Sequence, residues 1–170
     1  VFVEKPLAIH HDELADVEAA YALAHLSGQG PQLMVGFNRR FSPQVKKMKA
    51  LLHVAKEPKS FIMTMNAGAT PPNHWTQDNA VGGGRIIGEA CHMLDFACFM
   101  LGRPIRVTAQ RLGADSVSAQ VEFTDGSTFQ LLYSAEGDSA FPKESIRAFA
   151  NGLVAECENF MRLTVWKNRK

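Results

Sequence analysis

The sequence predicts an α+β fold: a mostly antiparallel open sheet with helices on one face. Two textures predict it. Before Gly102, short apolar runs alternate with segments of helical periodicity. After Arg103, apolar and polar residues alternate in strands joined by turn dipeptides, the pattern of a meandering sheet with one wet face. Composition agrees with a globular domain, at 46% hydrophobic and 21% charged residues, and 170 residues suffice for one core but not two full-sized ones.

The elements follow in order. Val1-Phe2-Val3 reads as a short strand broken by Lys5-Pro6. Asp12 is placed to cap a helix with Leu14, Val17, Tyr21 and Ala24 on one face and Gly28 at its close. Gln32 to Phe37 is apolar and short, as a buried strand would be. Ser42-Pro43 opens a second helix, serine as cap and proline in the first turn, with Val45, Met48 and Leu52 facing inward. A strand is expected from Ser60 to Asn66, followed by a polar loop holding His74 and Trp75. The run Gly82-Gly83-Gly84 then opens a long helix whose apolar positions are Ile87, Ala90, Leu94, Ala97 and Leu101. Val117, Ala119, Val121 and Phe123 alternate with Ser118, Gln120 and Glu122, and Asp125-Gly126 turns that strand into Phe129, Leu131 and Tyr133. Asn151-Gly152 joins the runs 144–150 and 153–158, and 161–166 supplies an edge strand.

Charge and cysteine content exclude several classes. Eighteen basic against seventeen acidic residues leave a net charge of +1, which gives no electrostatic case for nucleic acid or an acidic membrane. Arg162, Lys167, Arg169 and Lys170 read as a solvated terminus. No apolar run reaches the about 18 residues of a membrane helix, and no signal peptide is visible. Three scattered cysteines without a C-x-x-C pair favour a reducing, cytoplasmic setting. The opening strand has neither a methionine nor a turn before it, and the expectation is a piece of a longer protein.

Chemistry concentrates in two places. Glu89, His92 and Asp95 are spaced three apart on the helix that follows the glycine run and so share one stripe. A carboxylate beside His92 could fix its tautomer and raise its basicity. Lys5 stands between a strand and a proline, which holds it extended at the strand's end. By spacing alone, an ordinary surface lysine and a satisfied helix histidine are the commoner readings, and the glycines and flanking carboxylates favour the functional one for His92. Gly82-x-Gly84-x-x-x-Gly88 imitates a dinucleotide fingerprint, but a polar loop precedes it where a strand is required. The glycines are expected to allow a close approach by a ligand or a neighbouring strand. His74, Glu89, Cys91 and His92 lack any recognised ligand spacing, so no metal is expected. Asn38, Arg39 and Arg40 follow a strand, where side chains meet either ligand or solvent.

These segments together resemble the Gfo/Idh/MocA family of sugar and cyclitol oxidoreductases. The resemblance is carried by Glu4-Lys5-Pro6, the run Val35-Gly36-Phe37-Asn38-Arg39-Arg40-Phe41, the entry Gly82-Gly83-Gly84, and His92 with Asp95, in the family's order. It implies that residues 1–30 end an N-terminal Rossmann domain and that residues 31–170 form a C-terminal substrate-binding and oligomerisation domain. The implied activity is an NAD(P)-dependent dehydrogenase interconverting a hydroxyl and a ketone on a sugar-like substrate, with the nucleotide loop absent and this piece inactive alone. Lys5 and His92 would then be catalytic, with Glu4, Lys5 and Pro6 beside the cofactor, NAD or NADP. Asn38, Arg39, Trp75, Arg85 and Asp95 are the candidates for gripping substrate. Many members carry aspartate four residues before the histidine. Here that place is Gly88, and Glu89 next to it is the candidate replacement. The resemblance also implies a homo-oligomer formed through the open sheet. The competing reading is a non-catalytic sugar-binding or oligomerisation module.

Overall fold

The computed structural model describes residues 1–167, so Arg169 and Lys170 of the basic terminus lie outside the described residues. Its centre is a seven-stranded sheet built around β3 (Ser60–Asn66). On one side lie β6 (Thr128–Ser134), β5 (Val117–Phe123) and β4 (Pro104–Arg111); on the other lie β7 (Glu144–Ala150), β8 (Leu153–Glu158) and β9 (Arg162–Lys167). Five of the six pairings are antiparallel, and β3 with β6 is the parallel one. Each flank is thus a three-stranded meander joined by short turns, and the strand that comes first in the chain becomes the middle of the sheet.

Alternation decides which face is covered. Phe61, Met63 and Met65 of β3 lie in register with Phe129, Leu131 and Tyr133 of β6. They all point into the core, where none is more than 3% exposed. Helix α2 (Pro43–His53) buries Val45, Met48 and Leu52 against that face, as the periodicity requires. Its cap differs from expectation: the Ser42 hydroxyl donates to the Phe160 carbonyl instead of holding the helix N-terminus. Helix α3 (Cys91–Leu101) buries Met93, Phe96, Ala97 and Leu101.

Ahead of α3 the chain winds as a π turn over Ile86–Ala90 rather than continuing one α-helix. A π turn takes up one extra residue, which rotates the preceding residues relative to those that follow. Ile87 and Leu94, expected inside, are 45% and 40% exposed, and Met93 and Phe96 take their place in the core. The segment is apolar nearly all round, so more than one stripe satisfied the pattern.

The remaining departures are at the N-terminal end and the sheet edge. β1 (Phe2–Val3) pairs in parallel with β2 (Met34–Val35), which is shorter than the expected run 32–37. Helix α1 (His11–Ala24) joins them, and no residue of it is buried. Its N-terminus is held by Glu13, whose carboxylate accepts from the backbone of Ile9 and His10 at 2.9 and 3.2 Å, and not by Asp12. β4 was not foreseen as a strand; all its residues are exposed and the ladder to β5 alone holds it, with Pro104 at its start. No helix of the described residues is long and apolar enough to cross a membrane.

Phe96 is the keystone of the helix-to-sheet packing. Its ring meets Phe61, Phe129 and Phe160 with centroids 6.2 to 6.4 Å apart, joining α3 to three parts of the sheet. Phe96→Ala is expected to cost about 3–5 kcal/mol, because three aromatic neighbours cannot collapse into the space at once. Urea unfolding measures this, and a loss below about 1 kcal/mol would show that the helix does not depend on that contact.

Candidate functional site

Lys5 follows β1 and precedes a cis peptide bond to Pro6. Its ammonium donates to the Gly88 carbonyl at 2.7 Å, inside the π turn and 83 residues away. This contact brings the end of β1 to the start of the long helix. Between them lies a cleft of about 660 Å³ lined by Glu4, Lys5, Pro6, Trp75, Arg85 and Glu89, among others. Six of the residues expected at a site therefore share one cavity. Trp75 stands at its rim, 62% exposed, with the His74 ring tilted against it at 5.9 Å.

The glycines make the cleft possible. A Cβ on Gly82 would lie 2.8 Å from the Thr76 Cα and 2.9 Å from the Trp75 carbonyl, so only glycine lets that turn close on the run. A Cβ on Gly88 would press on the Gly82 carbonyl at 3.1 Å. The backbone at Gly88 is thus narrow, and the carboxylate of this turn stands one residue on, at Glu89.

Glu89 is held from three sides. Its Oε2 accepts from the Tyr133 hydroxyl at 2.5 Å and from Arg85 at 3.3 Å, and its Oε1 faces the Lys143 ammonium at 3.5 Å. Burial pushes this carboxyl up, but the Tyr133 hydrogen bond with the Lys143 and Arg85 charges outweighs it and holds the group below the ordinary carboxylate range. Burial and the Glu89 carboxylate push the Tyr133 phenol well above its usual range. Arg85 is buried and donates to the Gly68 carbonyl at 2.7 Å and to the Thr70 hydroxyl at 2.6 Å as well as to Glu89. It ties the loop after β3 to the π turn.

His92 lies outside the lining of the cleft and is only 4% exposed. Its Nδ1 is buried with no hydrogen-bond partner among the described residues, and the ring meets Phe37 edge-on at 6.0 Å. Burial, aided by the Arg39 and Lys5 charges, lowers its pKa to about 4. The ring is therefore neutral at ordinary pH, while Glu89 is ionised with its oxygens taken up by three donors. Lys5 spends one of its three N–H donors on Gly88, which leaves two at the wall of the cleft.

The other expected residues are drawn to separate partners. Asn38 accepts from Arg39 at 2.9 Å, and Arg39 reaches the buried Glu144 at 2.8 and 3.2 Å. Asp95 turns away from Glu89 and binds Arg40 through both carboxylate oxygens. Sequence reasoning missed Tyr133, Lys143 and Glu144. Glu144 could have been found, because it occupies an inward position of the alternation Glu144, Ile146, Ala148, Ala150. Tyr133 could not, since its place in the alternation is that of a core residue.

The His92 shift has a pH consequence. Its folded pKa of about 4 lies below the ordinary 6.5, so unfolding takes up a proton between those values. Stability therefore rises with pH across that window and is lost as pH falls through it. NMR titration of the imidazole should show a neutral ring at pH about 6, and a midpoint near the ordinary value would contradict the burial described.

Comparison with known proteins agrees with this architecture. The profile of the GFO/IDH/MocA C-terminal domain matches residues 56–163, more than half of the chain. An uncharacterized oxidoreductase of Bacillus subtilis, YrbE, is 29% identical over 106 residues, covering 62% of this chain and 29% of its own. An NAD binding oxidoreductase from Klebsiella pneumoniae superposes with a TM-score of 0.83 at 22% identity, over 98% of this chain and 50% of its own. The WlbA dehydrogenase from Thermus thermophilus, solved with NAD and UDP-GlcNAcA, gives 0.75 at 19% identity over 95% and 53%. Levoglucosan dehydrogenase, solved with NADH and levoglucosan, gives 0.78 at 19% identity over 96% and 49%. The chain spans about half the length of these solved proteins. With the sheet, the helices and the matched profile all in agreement, the chain belongs to the GFO/IDH/MocA oxidoreductase family and carries its C-terminal domain.

Proposed function

We propose that this chain is the substrate side of an NAD(P)-dependent oxidoreductase that interconverts a hydroxyl and a ketone on a sugar or cyclitol-like molecule. The observation that carries this reading is the Lys5 ammonium, held on the Gly88 carbonyl at the wall of a cleft that also contains Glu89 and Trp75. The dehydrogenase neighbours solved with nicotinamide cofactors and sugars support the same reading. In it, residues 1–30 belong to a nucleotide-binding half and residues 31–170 to the substrate domain.

The residues present suit a nicotinamide. β1 and β2 are parallel strands joined by α1, and Glu4-Lys5-Pro6 lies at the carboxyl end of β1, where open α/β sheets receive ligands. Gly36 lies so close to Glu4 that a Cβ would come 2.9 Å from its carboxylate, which keeps the two strand ends together. A bound nicotinamide, NAD or NADP, would supply or accept the hydride, with Glu4, Lys5 and Pro6 beside it. The free protons of Lys5 would hold the substrate oxygen, and neutral His92 would receive its proton. Trp75 offers an aromatic face to the apolar side of a sugar ring. Asn38 and Arg39, expected to grip substrate, are engaged with each other and with Glu144 outside the cleft lining, while Arg85 and Asp95 serve by fixing the loop after β3 and the Arg40 side chain.

A second reading, a non-catalytic sugar-binding or oligomerisation module, draws on the face of the sheet away from the helices. Ile62, Leu132, Phe149 and Trp166 are 40–50% exposed there, more apolar surface than an isolated sheet face commonly shows. We propose that this face pairs with a second copy of the chain, which is compatible with catalysis. The three free cysteines suit a reducing, cytoplasmic compartment.

Hydride transfer by the full-length protein separates the two readings. With a panel of sugars and cyclitols and either nicotinamide cofactor, Lys5→Met and His92→Asn should each lower kcat by about 10²-fold. His92→Asn is preferred to alanine because the ring is buried. Wild-type turnover in both variants would remove the chemistry from the proposal and leave the binding module.

A further inference from the structure

Tyr133 lies at the end of the sheet nearest the cleft. It stands in register with Met65 of β3 and Val117 of β5, and its side chain is fully buried. Phenylalanine would fill the same core position, and burying a hydroxyl costs free energy unless it is bonded. Here the hydroxyl is spent on Glu89 at 2.5 Å, the distance of a strong O–H···O⁻ bond. The Arg85 guanidinium lies over the same ring at 5.8 Å and shares the same carboxylate oxygen.

The place where Glu89 sits gives this bond its reach. Glu89 and Gly88 are neighbours within the π turn, and the Gly88 carbonyl is the acceptor of Lys5. A π turn is wider than an α turn and rare as a regular element, so its position needs support from outside the helix. That support comes from the sheet through Tyr133, from the loop after β3 through Arg85, and from the segment before β7 through Lys143. Of the three, the phenol is the one anchored in the rigid core, whereas Lys143 is 55% exposed.

We propose that Tyr133 is a positioning residue: its hydroxyl fixes the Glu89 carboxylate and, through the shared π turn, the Gly88 carbonyl that aims Lys5 into the cleft. The contacts stand by themselves; their catalytic meaning rests on the oxidoreductase reading above. Tyr133 takes no proton in this role. It acts through Glu89 and the backbone.

The test uses full-length protein carrying ¹³C-labelled glutamate and tyrosine. In Tyr133→Phe the Glu89 carboxyl should titrate at higher pH than in the wild type, because a donor to the charged form is gone while Lys143 and Arg85 remain. In hydride transfer the same variant should lose about tenfold in kcat with KM nearly unchanged, as expected when a catalytic group is misaimed but substrate contacts persist. An unmoved Glu89 titration overturns the proposal, and so does a moved titration with wild-type kcat. If the core rejects phenylalanine, Glu89→Gln with the Tyr133 ¹³Cζ resonance as readout answers the same question: a shifted resonance supports the bond and an unshifted one overturns it. A wild-type protein that transfers no hydride while Glu89 moves in Tyr133→Phe would contradict the oxidoreductase reading and leave the contact in place.

Discussion

The hydrogen bond from the Lys5 ammonium to the Gly88 carbonyl is the constraint on which the site depends. It joins two regions that share no strand ladder: the parallel pair β1–β2 and the helix lying on the seven-stranded sheet. Without it, Lys5 would be a solvated side chain at a strand's end and the cleft would lose a wall. The glycine at position 88 serves this contact twice. Its carbonyl is the acceptor, and its missing Cβ lets the π turn lie against the Gly82 carbonyl.

Around that contact the structure holds each of three arginines on its own acid: Arg39 on Glu144, Arg40 on Asp95, and Arg85 on Glu89. In each pair at least one side chain is one-tenth exposed or less. Pairs so placed gain little net stability, but removing one partner strands a charge in a poorly solvated place. Their service is geometric. Arg39 and Arg40 leave one 3₁₀ turn (Asn38–Phe41) in different directions, to β7 and to α3, and so fix the segment next to His92. The positive charges left around the imidazole, with its burial, keep it neutral.

Much of this was legible in the sequence, and the exceptions have physical causes. Alternation in β5 and β6 and the turn dipeptides Asp125-Gly126 and Asn151-Gly152 specified most of the sheet, because one buried face fixes register. β4 escaped notice because both its faces are exposed, so Ile105, Val107 and Ala109 alternate without a core to serve. The cap of α1 escaped because Glu13 binds the backbone of His10, and a backbone N–H is indifferent to the side chain above it. The equal spacing of Glu89, His92 and Asp95 suggested one catalytic stripe. The π turn and the pull of Arg40 part them, and neither is visible without the fold: Arg40 and Asp95 are 55 residues apart. Glu4, Lys5, Pro6, Trp75, Arg85 and Glu89 did converge on one cleft, because glycines at 82 to 84 permit a close backbone approach and the proline after Lys5 fixes the backbone wherever they occur.

The most direct measurement is a crystal structure of the full-length protein with a nicotinamide cofactor and a sugar-like ligand. The account predicts a ligand oxygen within hydrogen-bond distance of the Lys5 Nζ, facing His92, with Lys5 still bonded to the Gly88 carbonyl and the sugar ring against Trp75. A ligand bound outside this cleft, or one that leaves Lys5 without a contact to it, would contradict the account.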